Sequence, residues 1–248
     1  MKVAICLSGQ PRTWRECLPN WLDNMGLVDR PDFFFHLWDY NTLPSLLASY
    51  KKVIVDEKLQ DEEKQDIIDS LVPKKFKFES RKVIQYWNCD IPDNMQFGPW
   101  CREQFYSAYY ASLLKREYEL QNKFRYDVVI RLRSDLWFTE KLEIETPEPN
   151  SLYTTHCSYD TEYNVYRIGD IFYYADSSTF DQVSQLFKFF SYVPTNWVSS
   201  KECPPPEIAM SYFLTNIGVT NRPTRCPTKI KRPSIVKEIK GSLDSYEV

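Results

Sequence analysis

Residues 2–25 constrain the fold more tightly than any other stretch of this chain. An apolar run at 2–8 stops at Gly9-Gln10-Pro11-Arg12, and residues 14–25 then take up a helical spacing. A short apolar run closed by turn residues reads as a strand buried on both faces. Gly9 and Pro11 end it: glycine tolerates backbone angles that other residues avoid, and proline offers no N–H to a neighbouring strand. Strand, tight turn and helix is how an α/β unit opens, so a mostly parallel central sheet flanked by helices is expected.

Later segments repeat the theme. Residues 32–39 are a second apolar run with a polar tip, and 52–56, 76–80, 151–155 and 170–174 read as further strands. Helices are expected at 43–50 and at 61–71, with Asp61 as cap. Another is expected at 101–122, where Phe105, Ala108, Tyr109, Ser112 and Leu113 repeat at helical spacing. That helix is expected to pack beside a strand within 126–138. Residues 87–99 read as a loop rich in Asn, Asp, Pro and Gly. Helices at 178–190 and 206–216 follow, the second opening on Pro206, a residue suited to the first helical position. A chain of 248 residues accommodates one generous domain, expected over 1–222, with a proline- and lysine-bearing tail at 223–248.

The formal net charge of −3 speaks against a broad basic face for nucleic acid. Seven cysteines occur without a Cys-x-x-Cys pair, so neither a zinc site nor a disulfide framework is expected. The opening apolar run is too short for a signal peptide, and no run of about 18 apolar residues exists to span a bilayer. The expectation is a soluble protein of a reducing cytoplasm, a host's cytoplasm if the chain is viral.

The chemistry concentrates in residues 126–138. Read as one continuous strand, this segment places Arg131, Arg133 and Asp135 on a single face, because side chains alternate. Two guanidinium groups and a carboxylate are expensive to bury without partners, so the triplet points to a polar ligand, a metal, or an internal ion pair closing the strand. In open α/β sheets ligands sit outside the carboxyl ends of the strands, where Gly9–Arg12, His36–Asp39 and Arg131–Asp135 would converge. Gly9 permits close approach of the backbone, Pro11 shapes the turn, Gln10 can read a base edge, and Arg12 can grip a phosphate with two parallel hydrogen bonds. No phosphate-cradling glycine motif is present. His36 reads as a satisfied structural histidine, with Asp39 the more interesting partner. Asp170 can reach a substrate hydroxyl from a strand entrance or simply complete a turn. Glu207, in the first turn of a helix, is a general-base candidate or a carboxylate held by the helix dipole.

Four motifs in order carry a resemblance: residues 2–13, the Phe-Phe-His-Leu-Trp-Asp run ending at Asp39, the strand at 126–136, and Pro206-Glu207. Together they resemble nucleotide-sugar glycosyltransferases of the GT-A type. The likeness is nearest to small viral and bacterial surface-polysaccharide transferases with an Arg-x-Arg-x-Asp or Lys-x-Arg-x-Asp strand. It covers nearly all of residues 1–220. It implies a Rossmann-like sheet, the Gly9–Arg12 loop near the nucleotide, and Asp135 in the place of the acidic metal motif. Arg133 departs from that motif, standing where its first acid would be. Asp135 with the donor diphosphate would hold Mn²⁺ or Mg²⁺, or Arg133 would neutralise the leaving phosphate directly.

The resulting expectation is transfer of a sugar from a nucleoside-diphosphate donor to a hydroxyl of a glycan acceptor. Gly9, Gln10, Pro11, Arg12, Asp39, Arg131, Arg133 and Asp135 would hold the donor, and Glu207 or Asp170 would act as base. The alternatives are a nucleotide-sugar-binding module without catalysis and a sugar nucleotidyltransferase.

Overall fold

The computed structural model describes residues 1–27, 29–43, 55–80, 98–155, 157–161, 164–189, 206–224 and 228–231. Residues 44–50 of the helix expected at 43–50, most of the loop at 87–99 and the chain after 231 lie outside them, while Leu43 ends a strand.

Chain order is β1 (Val3–Gly9), α1 (Trp14–Asn24), β2 (Asp32–Trp38), β3 (Tyr40–Leu43), β4 (Val55–Lys58), α2 (Asp61–Leu71), β5 (Lys75–Glu79) and α3 (Gly98–Asn122). It continues with β6 (Val128–Leu132), β7 (Leu136–Phe138), β8 (Ser151–Thr154), β9 (Cys157–Asp160), β10 (Val165–Ile168), β11 (Phe172–Ala175), α4 (Ser177–Val183), α5 (Leu186–Phe189), α6 (Pro206–Ile217), β12 (Thr220–Pro223) and β13 (Thr228–Ile230). Seven strands form the central sheet in the order β12-β8-β11-β6-β1-β2-β5. The pairings are parallel except where β11 meets β6 and β8, so every strand but β11 runs the same way. This is the expected α/β architecture, with one antiparallel strand inserted.

Period-two alternation divides the core. Val3, Ile5 and Leu7 of β1 join Phe33, Phe35, Ile130 and Leu132 on one face, under Trp14, Cys17 and Trp21 of α1 and Ile67 and Leu71 of α2. Ala4 and Cys6 face the other way with Phe34 and Val129, against Phe105 and Ala111 of α3, Phe180 of α4 and Met210 of α6. The small side chains Ala4 and Cys6 let α3 lie close, and the Cys6 thiol reaches the Ala111 carbonyl at 3.8 Å. Burial of a single phenylalanine such as Phe34 stabilises by about 1.5–3 kcal/mol.

Local signals and tertiary demands diverge in several places. Helix α2 starts where expected, but its cap is Gln60, whose backbone N–H is accepted by the Glu63 side chain at 2.9 Å, and Asp61 is already helical. Helix α3 packs chiefly across β1, β2 and β5 rather than beside the arginine-bearing strand. The helix expected at 178–190 is split into α4 and α5, with Asp176 capping α4 by accepting from Ser178 and Thr179. The stretch from Pro223, read as a tail, belongs in part to the fold. Pro223 ends β12 on the outer strand of the sheet, and β13 pairs with β7. Among the described residues, no helix is long and apolar enough to cross a membrane.

Candidate functional site

Because all strands but β11 share a direction, the ends of β1, β2, β5, β6, β8 and β12 meet the start of β11 along one side of the molecule. The chain leaves β1 toward β2 on one side, while β6 flanks β1 on the other. That divergence makes the carboxyl ends of β1 and β6 the switch point of the sheet, the place outside which open α/β sheets take their ligands. It holds the turn after Gly9 and the residues after Leu132.

Side chains from distant segments build the turn. Gly9 has a φ of +111°, in the region that favours glycine, and its N–H donates to Ser107 Oγ at 2.7 Å. Pro11 is buried, and its carbonyl accepts from Trp14 N–H at 3.1 Å, leading the chain into α1. Ser134 Oγ donates to the Gln10 carbonyl. Arg12, with a φ of +46°, donates its backbone N–H to Asn41 Oδ1 at 2.7 Å and its Nε to Gln10 Oε1 at 3.2 Å. A non-glycine residue at positive φ is uncommon, and this one is fixed by partners on both its backbone and its side chain.

The expected continuous strand at 126–138 is broken. β6 ends at Leu132, residues 133–135 turn, and β7 starts at Leu136, so Arg131, Arg133 and Asp135 do not share one face of one strand. Asp135 is buried and is gripped by two guanidinium groups. Arg133 donates from Nε to Oδ1 and from Nη2 to Oδ2, both at 2.9 Å, and Arg12 Nη1 donates to Oδ2 at 2.5 Å. Burial alone would raise the Asp135 pKa, but Arg133 and Arg12 outweigh it and hold the carboxyl below its ordinary value. The internal ion pair foreseen as one alternative is therefore present. Each arginine nonetheless keeps about a fifth of its side chain exposed, 21% for Arg12 and 19% for Arg133.

Arg131 takes a different environment. It is 1% exposed, donates from Nε to Ser8 Oγ at 3.3 Å and from Nη1 to the Asp170 carbonyl, and lies over the Tyr173 ring. Burial lowers its pKa, yet a guanidinium remains charged. The negative charges of Asp170 and Asp135 act against that lowering. The Asp170 side chain is buried beside it and accepts from Gln104 Nε2.

Asp39 and Glu207 are not among the side chains these contacts join. Asp39 works through its backbone, donating to the Glu79 carbonyl at 3.0 Å and accepting from Leu59 at 2.8 Å. Glu207 stands half-buried in the first turn of α6.

A second group, not foreseen from sequence, supports the turn. His36 is fully buried, with Nε2 at 2.8 Å from Glu79 Oε2 and Nδ1 at 3.1 Å from Ser107 Oγ, the hydroxyl that receives Gly9 N–H. Burial lowers the His36 pKa despite the carboxylate beside it. Burial of Glu79 acts against ionisation, but hydrogen bonds from His36, Lys77 and Tyr106 hold its pKa at about 2. His36 is thus a satisfied histidine, as its sequence position implied. Glu79 carried one usable signal, its place as the last residue of a strand ending at this side of the sheet. Ser107 and Ser134 carried none, since they meet the turn only in the folded chain.

A divalent cation does not fit Asp135. Both its oxygens accept from guanidinium groups, the side chain is 1% exposed, and the charges nearest to it are positive. Among the described residues no cluster of three or more His, Cys, Asp or Glu is placed to hold a metal ion. What the arrangement offers a ligand is the partly exposed guanidinium groups of Arg12 and Arg133, whose planar N–H donors suit phosphate and carboxylate oxygens. No protein-family model matches the chain, and no curated protein matches it significantly.

Proposed function

We propose that this protein is a glycosyltransferase that moves a sugar from a nucleoside-diphosphate donor to a hydroxyl of a glycan acceptor, in the cytoplasm. The observation that carries the reading is the Arg12–Asp135–Arg133 cluster at the carboxyl ends of β1 and β6. Transfer breaks the bond between the anomeric carbon and a β-phosphate oxygen, and the electron pair leaves with the diphosphate. Guanidinium groups aimed at that oxygen stabilise the charge developing there. The acceptor oxygen forms the new bond to the anomeric carbon, and its proton passes to a carboxylate. Asp170, beside Arg131, and Glu207 are the candidates for that base. A GT-A-type sheet accords with the parallel strands around β1, and the Gly9–Arg12 turn is the proposed nucleotide contact.

The test is a panel of nucleotide sugars offered to the full chain with glycan acceptors. Release of nucleoside diphosphate with sugar transfer supports the reading. Pyrophosphate release would mark a nucleotidyltransferase, and binding without turnover a recognition module. Asp170→Asn and Glu207→Gln then assign the base: the correct variant keeps donor affinity and loses about two to four orders of magnitude in transfer.

A further inference from the structure

We propose that Tyr159 and Tyr166, paired across the β9–β10 hairpin, form the stacking surface for a sugar ring of the acceptor. The inference deepens the proposed function, on which it rests for the role of the saccharide; the saccharide site itself stands on the placement and chemistry of the hairpin.

Topology puts the hairpin on the ligand side of the sheet. Tyr173 of β11 pairs with Arg131 of β6 on one side and with Thr154 of β8 on the other, so the ends of β6 and β8 and the start of β11 lie at one level. The hairpin between Thr154 and Phe172 therefore leaves and re-enters the sheet at the carboxyl ends, where Arg12, Asp135 and Arg133 meet. Its second strand runs on to Asp170 and packs against α6, with Ile168 buried in the same core cluster as Met210 and Phe213. One candidate base thus follows the hairpin in the chain, and the other, Glu207, sits in the first turn of the helix it packs against.

Tyr159 and Tyr166 face each other in the antiparallel register, with ring centroids 5.2 Å apart and planes at 69°. They remain 51% and 56% exposed, although a folded chain gains by burying rings of that size. Two rings at this angle make a corner. A pyranose can lay its C–H face on one ring and its edge against the other, its weakly positive hydrogens meeting a negative ring face. The surroundings favour a saccharide over an apolar partner. Tyr159 Oη donates to Asn164 Oδ1, and on the opposite face of the hairpin Arg167 Nε donates to Asp160 Oδ2 at 2.5 Å. A small aromatic corner set among polar groups matches a ring with one apolar face and a belt of hydroxyls, whereas a protein partner needs a broader patch. A cross-strand tyrosine pair also stabilises a hairpin, so substitutions that keep an apolar contact while removing the ring separate the two roles.

Saturation-transfer NMR on the full chain with cellotriose, mannotriose, galactotriose, xylotriose and chitotriose supplies the test. At least one trisaccharide is expected to bind and to perturb the ring signals of both tyrosines, assigned through Tyr159→Phe and Tyr166→Phe. Tyr159→Leu and Tyr166→Leu should each weaken that binding about three- to tenfold, the scale of one aromatic contact, with Tm unchanged. Absence of binding by all five overturns the inference, as does binding that survives both leucine variants. Self-association of the wild type that the leucine variants abolish overturns it too, because the corner then receives a second copy of the chain. The wild-type ring perturbations remain decisive even if a leucine variant unfolds. Sugar transfer with an acceptor KM unchanged in both leucine variants overturns the inference and leaves glycosyl transfer standing. Saccharide binding at the corner by a protein that turns over no nucleotide sugar does the reverse.

Discussion

Two ion clusters sit at opposite ends of the same sheet, and they differ in one respect that matters. At the amino end of β6, Lys115 of α3 is buried and reaches Asp181 Oδ1 at 2.8 Å, Glu119 Oε2 at 3.0 Å and Ser177 Oγ at 2.6 Å. Ser177 passes a hydrogen bond to Glu119 Oε1 at 2.6 Å, and Arg125 closes the group on Asp181 at 2.8 Å. Two cations there face two carboxylates, and the balanced cluster ties α3 to α4. At the carboxyl end, Arg12 and Arg133 share the single carboxylate of Asp135, with Arg131 behind. Burial and short distances are common to both. Solvent access to the central cations is what separates them: Lys115 is fully buried, whereas Arg12 and Arg133 each keep about a fifth of the side chain exposed and within reach of a ligand.

The largest expected effect lies in the balanced cluster. Lys115→Met leaves the buried Glu119 and the partly buried Asp181 without their central cation and should reduce stability by about 3–5 kcal/mol in urea denaturation. Nucleotide-sugar turnover of the folded fraction should stay at the wild-type value. A large loss of turnover with little loss of stability would reverse the roles assigned to the two ends.

At the other end the expected order is inverted. Asp135→Asn leaves two arginines that water can partly reach, so the stability loss should be smaller, about 1–3 kcal/mol, while nucleotide-sugar turnover falls at least tenfold. The sign of the pH dependence follows from its lowered pKa. The stabilisation is complete above the ordinary aspartate value of about 3.9 and is lost as pH falls through the lower folded value. Acid titration of wild type should therefore contain a component below about pH 4 that the Asn variant lacks.

His36 and Glu79 sharpen the contrast one strand away. A histidine whose folded pKa is lowered contributes stability that is complete above about pH 6.5 and is lost as pH falls toward the folded value. Glu79, held at about 2, contributes above the ordinary glutamate range and is lost only on approach to that value. Calorimetry between pH 8 and 5 should show the wild-type Tm falling as acid is added, with a flatter profile in His36→Gln. An unchanged slope would assign the acid sensitivity elsewhere.

The smallest effect belongs to Arg125→Ala, because its side chain is 52% exposed and solvent screens its pairing with Asp181. A loss below about 1 kcal/mol is expected from thermal unfolding. A loss as large as that of Lys115→Met would mean that the rim of this cluster matters as much as its buried centre.

The sequence by itself determined the elements that repeat locally. The apolar runs of β1 and β2, the turn at Gly9 and Pro11, the periodicity of α3 and the Pro206 start of α6 each rest on neighbouring residues, and each was readable without the fold. The class of sheet followed from them, since strands covered on both faces and separated by helices pair in parallel. The region of the candidate site was legible for the same reason: the carboxyl ends of such strands lie on one side.

Only the tertiary structure decided how the charged residues are used. Alternation along an unbroken strand put Arg131, Arg133 and Asp135 on one face, but the chain turns after Leu132. The turn lets Arg133 fold back onto Asp135, and Arg12 arrives from more than a hundred residues away. Separation along the chain likewise hid Ser107 beneath Gly9, Glu79 beside His36, and the antiparallel strands β11 and β13. Their pairings are set by which surfaces the packed helices leave to be filled. Periodicity reports which face of an element is apolar. It carries no information about which distant polar group will meet it, because that partner is chosen by burial and charge only once the core has closed.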